Sequence, residues 1–386
     1  MPPADQHSDQ GVGGGDGLPP SLPRIEPPLF NSANPWATTL EHLRALYASP
    51  ATGAVTTRTA LLGGDDDGFG FPHDESVHRF ALFETRGHRV GFEGADGGGG
   101  GGDWRVNADA SLNTLGYSPI PLAGYLGFIE RIDEEEKGKE KGNKKRKRKP
   151  FIVSVTGTPD EVGECYRRVT RLAARVGMPI AVEVNLSCPN IAGRPPPAYD
   201  AEALNAYVAR LTAVAAEVEV EIAGGVVPWG LKTPPYTHAG QFEMFVSVLR
   251  GCALSSDREP GGVCPVSFVT ATNTLGSCLL LTEGGNSTLA PTPALPGLGI
   301  GGVGGAPLHP LALGNVATLR RLLDAAPETR HVALLGIGGV GDAAGYRRMR
   351  SVGAAAVGVG TALGIHGLAV FEEIESGLGG VWEVER

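Results

Sequence analysis

The chain has few cysteines and no long apolar segment. Its 386 residues include five cysteines and no C-x-x-C pair. This disfavours a disulfide framework and a structural zinc site, and no metal centre is predicted. No stretch of about 18 residues lacks glycine or polar interruptions, so a membrane-spanning helix is not expected. Residues 1–28 lack a basic region followed by an apolar core, the pattern of a secretory signal. These absences predict a cytoplasmic protein that has no membrane partner.

Glycine, in contrast, is abundant. It accounts for 58 of the 386 residues, about twice the usual ~7%, without the repeat of collagen. Residues 1–23, rich in proline and glycine, predict a disordered tail. The glycine run within residues 91–103 predicts a flexible insertion, and the charged residues 133–149 are too polar for a core and predict a second one. The remainder, residues 24–386, is predicted to form a single domain.

The second insertion contains the basic run 144–149, which is similar to a nuclear import signal or a nucleic-acid patch. Residues 137–149 hold nine basic residues and one acid, which leaves 24 basic and 41 acidic residues in the rest of the chain. A body this acidic repels nucleic acid, so no nucleic-acid partner is expected. A solvated insertion is the favoured interpretation, and import-receptor recognition is the alternative.

Short apolar runs rich in β-branched residues alternate with helical patterns along the chain. The predicted strands are 29–32, 53–59, 151–156, 180–187, 227–232, 266–273, 332–336 and 354–360. The predicted helices are near 39–48, 121–131, 159–176, 201–217, 239–250, 311–325, 342–351 and 367–376. Eight strand–helix units predict an α/β fold, a (β/α)₈ TIM barrel. A doubly wound open sheet is the alternative, weakened because no G-x-G-x-x-G opens the first unit.

Polar residues follow several of these strands, where a barrel places its chemistry. The run 185–190, NLSCPN, sets Cys188 between Asn185 and Asn190 at a strand end. Amides offer donors and acceptors to a planar heterocycle, and a thiolate can act as a base or nucleophile. The competing interpretation is that Cys188 is a small buried hydrophobic residue.

Two further patterns fit a barrel mouth. Glycine pairs follow the late strands at 304–305 and 338–339, and Gly360-Thr361 follows the last strand; such loops present backbone N–H groups to phosphate. Lys232 ends an inner strand and could stabilise an anionic cofactor or a substrate carboxylate.

Together these motifs resemble class 1 dihydroorotate dehydrogenases. The matching segments are NLSCPN (185–190), GLKTPPY (230–236), ATNTLG (271–276), GGVGGA (301–306), IGGV (337–340) and VGTAL (359–363). The segment AGRPPPAYD (192–200) is most similar to the class 1A branch, which uses fumarate. The resemblance implies an FMN-dependent homodimer that oxidises dihydroorotate to orotate in pyrimidine (UMP) biosynthesis while fumarate is reduced to succinate.

The resemblance also implies roles for individual residues. Cys188 would be the base, with Lys232 and Arg58 as the other catalytic residues. The implied substrate-binding residues are Asn113, Leu115, Gly116, Tyr117, Asn185, Asn190, Asn273 and Thr274. The implied FMN-binding residues are Ser32, Ala33, Arg58, Asn185, Lys232, Gly304, Gly305, Gly338, Gly339, Gly360 and Thr361.

The sequence departs from the family pattern at four positions. Arg58 stands where a lysine is usual, and Asn34 where a glycine is usual. Leu115-Gly116-Tyr117 replaces the usual Met-Gly-Leu, and Tyr117 is bulkier than the leucine. Two alternatives therefore stay open: a related FMN-dependent oxidoreductase with another substrate or acceptor, and a non-catalytic barrel that binds a phosphate ligand.

Overall fold

The computed structural model describes residues 18–63, 70–74, 76–86, 90–91, 107–139, 147–188, 196–222, 225–254, 262–282 and 290–384. Several predictions fall outside these ranges: most of the tail, all but the first residue of the glycine-rich insertion, the part of the charged insertion from 140 to 146, and Asn190.

The strands are β1 (Leu29–Asn31), β2 (Val55–Thr56), β3 (Phe80–Phe83), β4 (Val90–Gly91), β5 (Ala110–Asn113), β6 (Phe151–Val155), β7 (Ile180–Asn185), β8 (Trp229–Thr233), β9 (Phe268–Ala271), β10 (Leu275–Leu279), β11 (Leu281–Thr282), β12 (Thr292–Pro293), β13 (Ile300–Gly305), β14 (Ala333–Ile337) and β15 (Ala356–Val359). The helices are α1 (Leu40–Ala48), α2 (Leu122–Lys139), α3 (Pro159–Ala173), α4 (Ala201–Glu221), α5 (Ala239–Leu254), α6 (His309–Asp324), α7 (Ala343–Ser351), α8 (Thr361–His366) and α9 (Ala369–Leu378).

Eight strands form a parallel barrel. Their order is β1-β15-β14-β9-β8-β7-β6-β2, and a parallel bridge between Phe30 and Ala54 joins the two ends. All eight predicted strands take part, and helices follow them as predicted. The predicted α/β TIM-barrel fold is therefore confirmed.

Side chains of the barrel strands alternate between two layers, as the strand period of two requires. On β7, Val182 and Val184 belong to the large cluster beneath the helices, while Ala181 belongs to a second cluster inside the barrel. The same alternation puts Glu183 and Asn185 on the inner side, toward the carboxyl end of the strand. The interior is thus apolar at the amino ends of the strands and polar at their carboxyl ends.

A second sheet covers one side of the barrel mouth, which the sequence did not predict. It is antiparallel, with the order β10-β13-β5-β3-β4. Strand β13 pairs with β5 so that Gly302 lies opposite Asn113. Because β5 and β13 both contribute to the mouth, this sheet forms part of the pocket described below.

Helix α2 extends beyond the predicted end at residue 131. It continues to Lys139 because Asp133, at 1% exposure, accepts a hydrogen bond from the Gly177 amide and pairs with Lys137 and Arg148. Residues 133–139 therefore differ from the predicted insertion, since an anion with several partners can be buried.

The predicted disordered tail, residues 1–23, is wrong at its end, because Leu22 packs against the barrel together with Ile25, which follows the tail. Leu22 and Ile25 are half-buried and pack against the inner apolar cluster. In the described part of the chain, no helix is both long and apolar enough to cross a membrane.

Candidate active site

A pocket opens at the carboxyl ends of the barrel strands, between the barrel mouth and the antiparallel sheet. Eighteen of the predicted site residues line it: Ser32, Ala33, Arg58, Asn113, Leu115, Gly116, Tyr117, Asn185, Cys188, Lys232, Asn273, Thr274, Gly304, Gly305, Gly338, Gly339, Gly360 and Thr361. Asn190 lies outside the described residues. The structure therefore brings together residues that are more than 300 positions apart in the sequence.

Two amides at the ends of β7 and β9, the strands on either side of β8, form one network. Asn273 donates from Nδ2 to Asn185 Oδ1 at 3.3 Å and to Ser187 Oγ at 3.0 Å. Ser187 also donates to Asn185 Oδ1, over 2.9 Å, and Asn273 Oδ1 accepts from the Thr274 amide at 2.8 Å. Each amide is thus held in one orientation before any ligand arrives.

The Asn185 amide is also fixed from inside the barrel. Its Nδ2 donates to Thr59 Oγ1 at 3.0 Å. Thr59 lies 2.9 Å from Ser154 Oγ, which donates to Glu183 Oε1 at 2.8 Å. Because Ser154 donates its hydrogen to the carboxylate, Thr59 must donate to Ser154 and accept from Asn185. A directed chain therefore runs from the pocket to Glu183, which is buried at 1% exposure.

Two buried cationic side chains line the pocket. Lys232, on β8, is 3% exposed and Arg58, just after β2, is 8% exposed. Burial lowers the pKa of Arg58, while the nearby Tyr125 and Cys188 raise it. A guanidinium keeps its charge through such shifts. The pocket therefore offers positive charge beside the Cys188 thiol.

Arg58 has neighbours that the sequence did not reveal. Its Nη2 atom lies 3.3 Å from the Gly116 oxygen and 3.1 Å from His73 Nε2. Phe71 packs edge-on against both His73 and Tyr117, and a Cβ at Gly116 would come within 2.1 Å of its ring. The segment around Phe71 and His73 thus supports the Arg58 side of the pocket.

Another part of the pocket is a glycine-rich cradle formed by Gly304, Gly305, Gly338, Gly339, Gly360 and Thr361. Gly305 and Gly339 have φ values of 86° and 66°, which favour glycine. A Cβ at Gly339 would lie 2.5 Å from the Gly305 oxygen, and a Cβ at Gly304 2.9 Å from Thr361 Oγ1. Ser111 lies within 2.7 Å of the same hydroxyl. The open space beside these glycines and the hydroxyl groups of Ser111 and Thr361 are suited to binding a phosphate.

Several residues line the pocket without having been predicted: Asn34, Pro35, Trp36, Thr59, Phe80, Ser111, Thr272, Leu308 and Ile337. Ser111 had a usable signal, because it precedes Asn113 by two positions on one strand and so shares its face. Phe80 had none, since β3 reaches the pocket only through the second sheet. Asn34 uses its side chain locally, accepting from the Trp36 amide and donating to the Ser32 oxygen.

The fold and the pocket define a (β/α)₈-barrel enzyme with its site at the carboxyl ends of the strands. Comparison with known proteins specifies the family. The family model described as dihydroorotate dehydrogenase matches residues 104–381. The chain belongs to the dihydroorotate dehydrogenase family, whose members are flavin-dependent oxidoreductases, and the resemblance seen in the sequence is confirmed.

Individual relatives agree with this assignment. The chain is 30% identical over 270 residues to the dihydroorotate dehydrogenase (fumarate) of Trypanosoma cruzi, covering 69% of this chain and 72% of the relative. It is 26% identical over 267 residues to a putative dihydroorotate dehydrogenase A (fumarate) of Streptococcus equi, with the same coverage of both chains. The fold is similar to the crystal structure of an Eimeria tenella DHODH in complex with ferulenol, at a TM-score of 0.59 and 16% identity, over 94% of this chain and 86% of that one.

Proposed function

We propose that this protein is an FMN-dependent dihydroorotate dehydrogenase that uses fumarate. Dihydroorotate would lose two hydrogens to become orotate, and fumarate would gain two to become succinate, so the two half-reactions balance. The product would enter pyrimidine (UMP) biosynthesis. The observation that carries this proposal is the pocket itself, which brings together a thiol, fixed amides, two buried cations and a glycine cradle.

The pocket residues fit FMN. The cradle of Gly304, Gly305, Gly338, Gly339, Gly360 and Thr361 would hold its phosphate, and Ser32, Ala33, Arg58, Asn185 and Lys232 would contact its ring. When bound, FMN supplies the hydride acceptor for the reaction. The support for this placement is that the cradle residues line the pocket. A Cβ at any of the cradle glycines would also lie within 3.0 Å of another protein atom, so only glycine allows the backbone to pack this closely.

Cys188 would remove the proton from C5 of dihydroorotate. It follows β7 at the pocket wall and lies close enough to Arg58 to influence its pKa. A nearby guanidinium favours the thiolate, the form that accepts a proton. The thiol would therefore act as the general base of the reaction.

The amides would orient the substrate. Asn113, Asn185 and Asn273 line the pocket, and Asn190 and Thr274 are assigned with them from the family pattern. Because Asn185 and Asn273 are held by hydrogen bonds of their own, they would bind the planar ring without reorganising, which lowers the cost of binding. Leu115, Gly116 and Tyr117 would close the substrate from the side of the second sheet.

Lys232 and Arg58 would stabilise negative charge. Both are buried, and a buried cation interacts more strongly with an anion than one in water does. Arg58 could pair bidentately with a substrate carboxylate, which a lysine cannot do. The proposed enzyme would work as a homodimer in the cytoplasm, where its five thiols stay reduced.

The proposal is tested by mixing the purified protein with dihydroorotate without oxygen. Loss of the visible flavin absorbance, followed by its recovery when fumarate is added, is the expected result, with orotate and succinate formed in equal amounts. A quinone and NAD serve as control acceptors. A yellow protein that dihydroorotate does not bleach would contradict dihydroorotate as the substrate.

One observation favours a second candidate. Arg58, supported by His73 and the Tyr117 backbone, gives this pocket a substrate end that differs from the family pattern. A related acid with its carboxylate placed differently would fit such an end. If a dihydroorotate analogue bleaches the flavin and dihydroorotate does not, the protein is a related FMN-dependent oxidoreductase.

A further inference from the structure

A histidine–arginine pair lies directly behind the glycine cradle. His309 begins helix α6 and is 8% exposed. Its Nδ1 atom lies 2.7 Å from the Gly338 oxygen, and the Nε atom of Arg348, on helix α7, lies 3.0 Å from its Nε2 atom. Neither side chain is among the described residues that line the pocket.

The two contacts determine where the ring carries its hydrogen. An arginine Nε–H can only donate, so His309 Nε2 must accept. The ring is then neutral with its hydrogen on Nδ1, and it donates to the Gly338 carbonyl. Arg348 therefore selects the tautomer that makes the second hydrogen bond possible.

The second hydrogen bond controls a peptide group of the cradle. In a trans peptide the carbonyl and the following N–H point in opposite directions. With its carbonyl held by His309, the Gly338–Gly339 peptide directs the Gly339 N–H away from His309. A Cβ at Gly339 would lie 2.7 Å from His309 Cβ, so the base of the His309 side chain also lies close to Gly339.

Two adjacent glycines make such control necessary. Gly338 and Gly339 both have positive φ values, 141° and 66°, and glycine backbone moves easily between conformations. If the peptide rotated, its carbonyl oxygen would replace its N–H on the pocket side and would repel a phosphate. An unheld glycine pair would thus lose a donor and gain an unfavourable dipole.

We propose that His309 and Arg348 are positioning residues for the phosphate of the flavin. Arg348 holds His309 in one tautomer, and His309 holds the Gly338–Gly339 peptide with its N–H toward the phosphate. This inference rests on the proposed function, in which FMN occupies the pocket with its phosphate in the cradle.

The test compares two flavins that differ only in the phosphate. The full-length protein and its variants are equilibrated with FMN or with riboflavin, and free flavin is measured by fluorescence. His309→Ala is expected to weaken FMN binding about tenfold, the scale of one lost hydrogen bond, and to change riboflavin binding less than about twofold.

Conservative variants separate positioning from packing. His309→Asn places an amide N–H near the position of the ring Nδ1, and it is expected to retain most of the FMN affinity. Arg348→Met is expected to weaken FMN binding. The double variant Arg348→Met/His309→Ala is expected to bind FMN no more weakly than His309→Ala alone, because the two side chains act through the same hydrogen bond. Arg347→Met is the matched control, since Arg347 on the same helix donates to Gly377 instead, and its FMN affinity should equal that of the parent.

Three results would overturn the inference: unchanged FMN affinity in Arg348→Met, equal losses for FMN and riboflavin in His309→Ala, or the same FMN affinity in His309→Asn and His309→Ala. The Arg348→Met and His309→Asn variants decide the matter if His309→Ala does not fold. A parent protein that binds neither flavin would instead contradict the proposed function, which distinguishes the two failures.

Discussion

His73 Nε2 lies 3.1 Å from Arg58 Nη2 and 3.0 Å from the backbone oxygen of Tyr117. One ring nitrogen cannot accept from the guanidinium and donate to the carbonyl at the same time. The neutral ring therefore exchanges between two partners, one on each side of the substrate end of the pocket. A protonated ring has a hydrogen on this nitrogen and cannot accept from Arg58 at all.

This relationship predicts an acid limb in the pH profile. Burial, followed by the charges of Arg58 and His78, lowers the pKa of His73 from its usual 6.5, although the Tyr117 carbonyl opposes the shift. The ring is therefore neutral at pH 7 and becomes a cation beside Arg58 only below pH 6.5. We expect kcat/KM to fall more in that acid range for the parent than for His73→Gln, because the other groups of the pocket are common to both proteins. Identical profiles for the two proteins would exclude a role for His73.

Arg58 itself is predicted to serve the substrate. Arg58→Ala removes a buried cation from the pocket and should slow anaerobic flavin reduction by dihydroorotate at least tenfold, whereas Arg58→Lys retains the charge and should preserve or improve it. The measurement is the rate of flavin reduction over a series of dihydroorotate concentrations. If Arg58→Ala equals the parent in both rate and saturation, Arg58 has no part in the reaction.

Replacement of Cys188 should separate binding from chemistry. Cys188→Ala is expected to retain FMN and to reduce the flavin at least 100-fold more slowly, the usual effect of losing an acid–base group. Cys278→Ala is the control, because this half-buried thiol lies on β10 and is not among the described pocket residues. Flavin reduction at nearly the parent rate in Cys188→Ala would remove the assignment of Cys188 as the base.

Asp133 is predicted to matter for stability rather than for activity. Its carboxylate is buried with Lys137, Arg148 and the Gly177 amide around it. Asp133→Ala should lower the free energy of unfolding by about 2–3 kcal/mol, since it leaves a half-buried arginine and an amide without their anion. Glu134→Ala, at the exposed neighbouring position, is the control. It should change the free energy of unfolding by less than about 0.5 kcal/mol. Equal unfolding midpoints for the two variants would contradict this role.

The same contacts limit which insertion can be removed. Deleting residues 133–149 would remove Asp133 together with the last turns of helix α2, so the shortened protein should be less stable than the parent. Deleting only residues 140–146 with a short linker should leave both stability and flavin content unchanged. The difference in stability is measured by thermal unfolding of the two deletion proteins. An equal loss of stability in both would show that residues 140–146 contribute to the fold.

The barrel could be predicted from the sequence because its signals are local. Each inner strand is an apolar run that ends in or is followed by a polar or glycine residue, and most of the helix patterns follow their strands directly. The end of helix α2 could not be predicted in this way, because the buried position of Asp133 depends on Arg148 and Gly177, which follow it by 15 and 44 residues.

The second sheet and part of the site could not be predicted from the sequence, for a related reason. Strand β13 has the sequence IGGVGG, which is typical of a loop. It becomes a strand by pairing with β10 on one side and, on the other, with β5, which lies almost 190 residues earlier. His73 belongs to no motif, and its contact with Arg58 depends on the path of the chain above the barrel. The polar strand ends and the glycine pairs were predictable, whereas the side chains that support them were not.

Strand β13 has one more consequence, because it connects the substrate side of the pocket with the glycine cradle. Gly302 accepts a hydrogen bond from the Asn113 side chain, and Gly305 lies in the cradle at the other end. Three residues of extended chain, about 10 Å, separate them. A segment this short, and paired with β5 along its length, moves as one piece. A displacement of the cradle therefore also displaces Asn113. A substitution at a cradle glycine would therefore displace Asn113 as well, and it would weaken substrate binding together with cofactor binding.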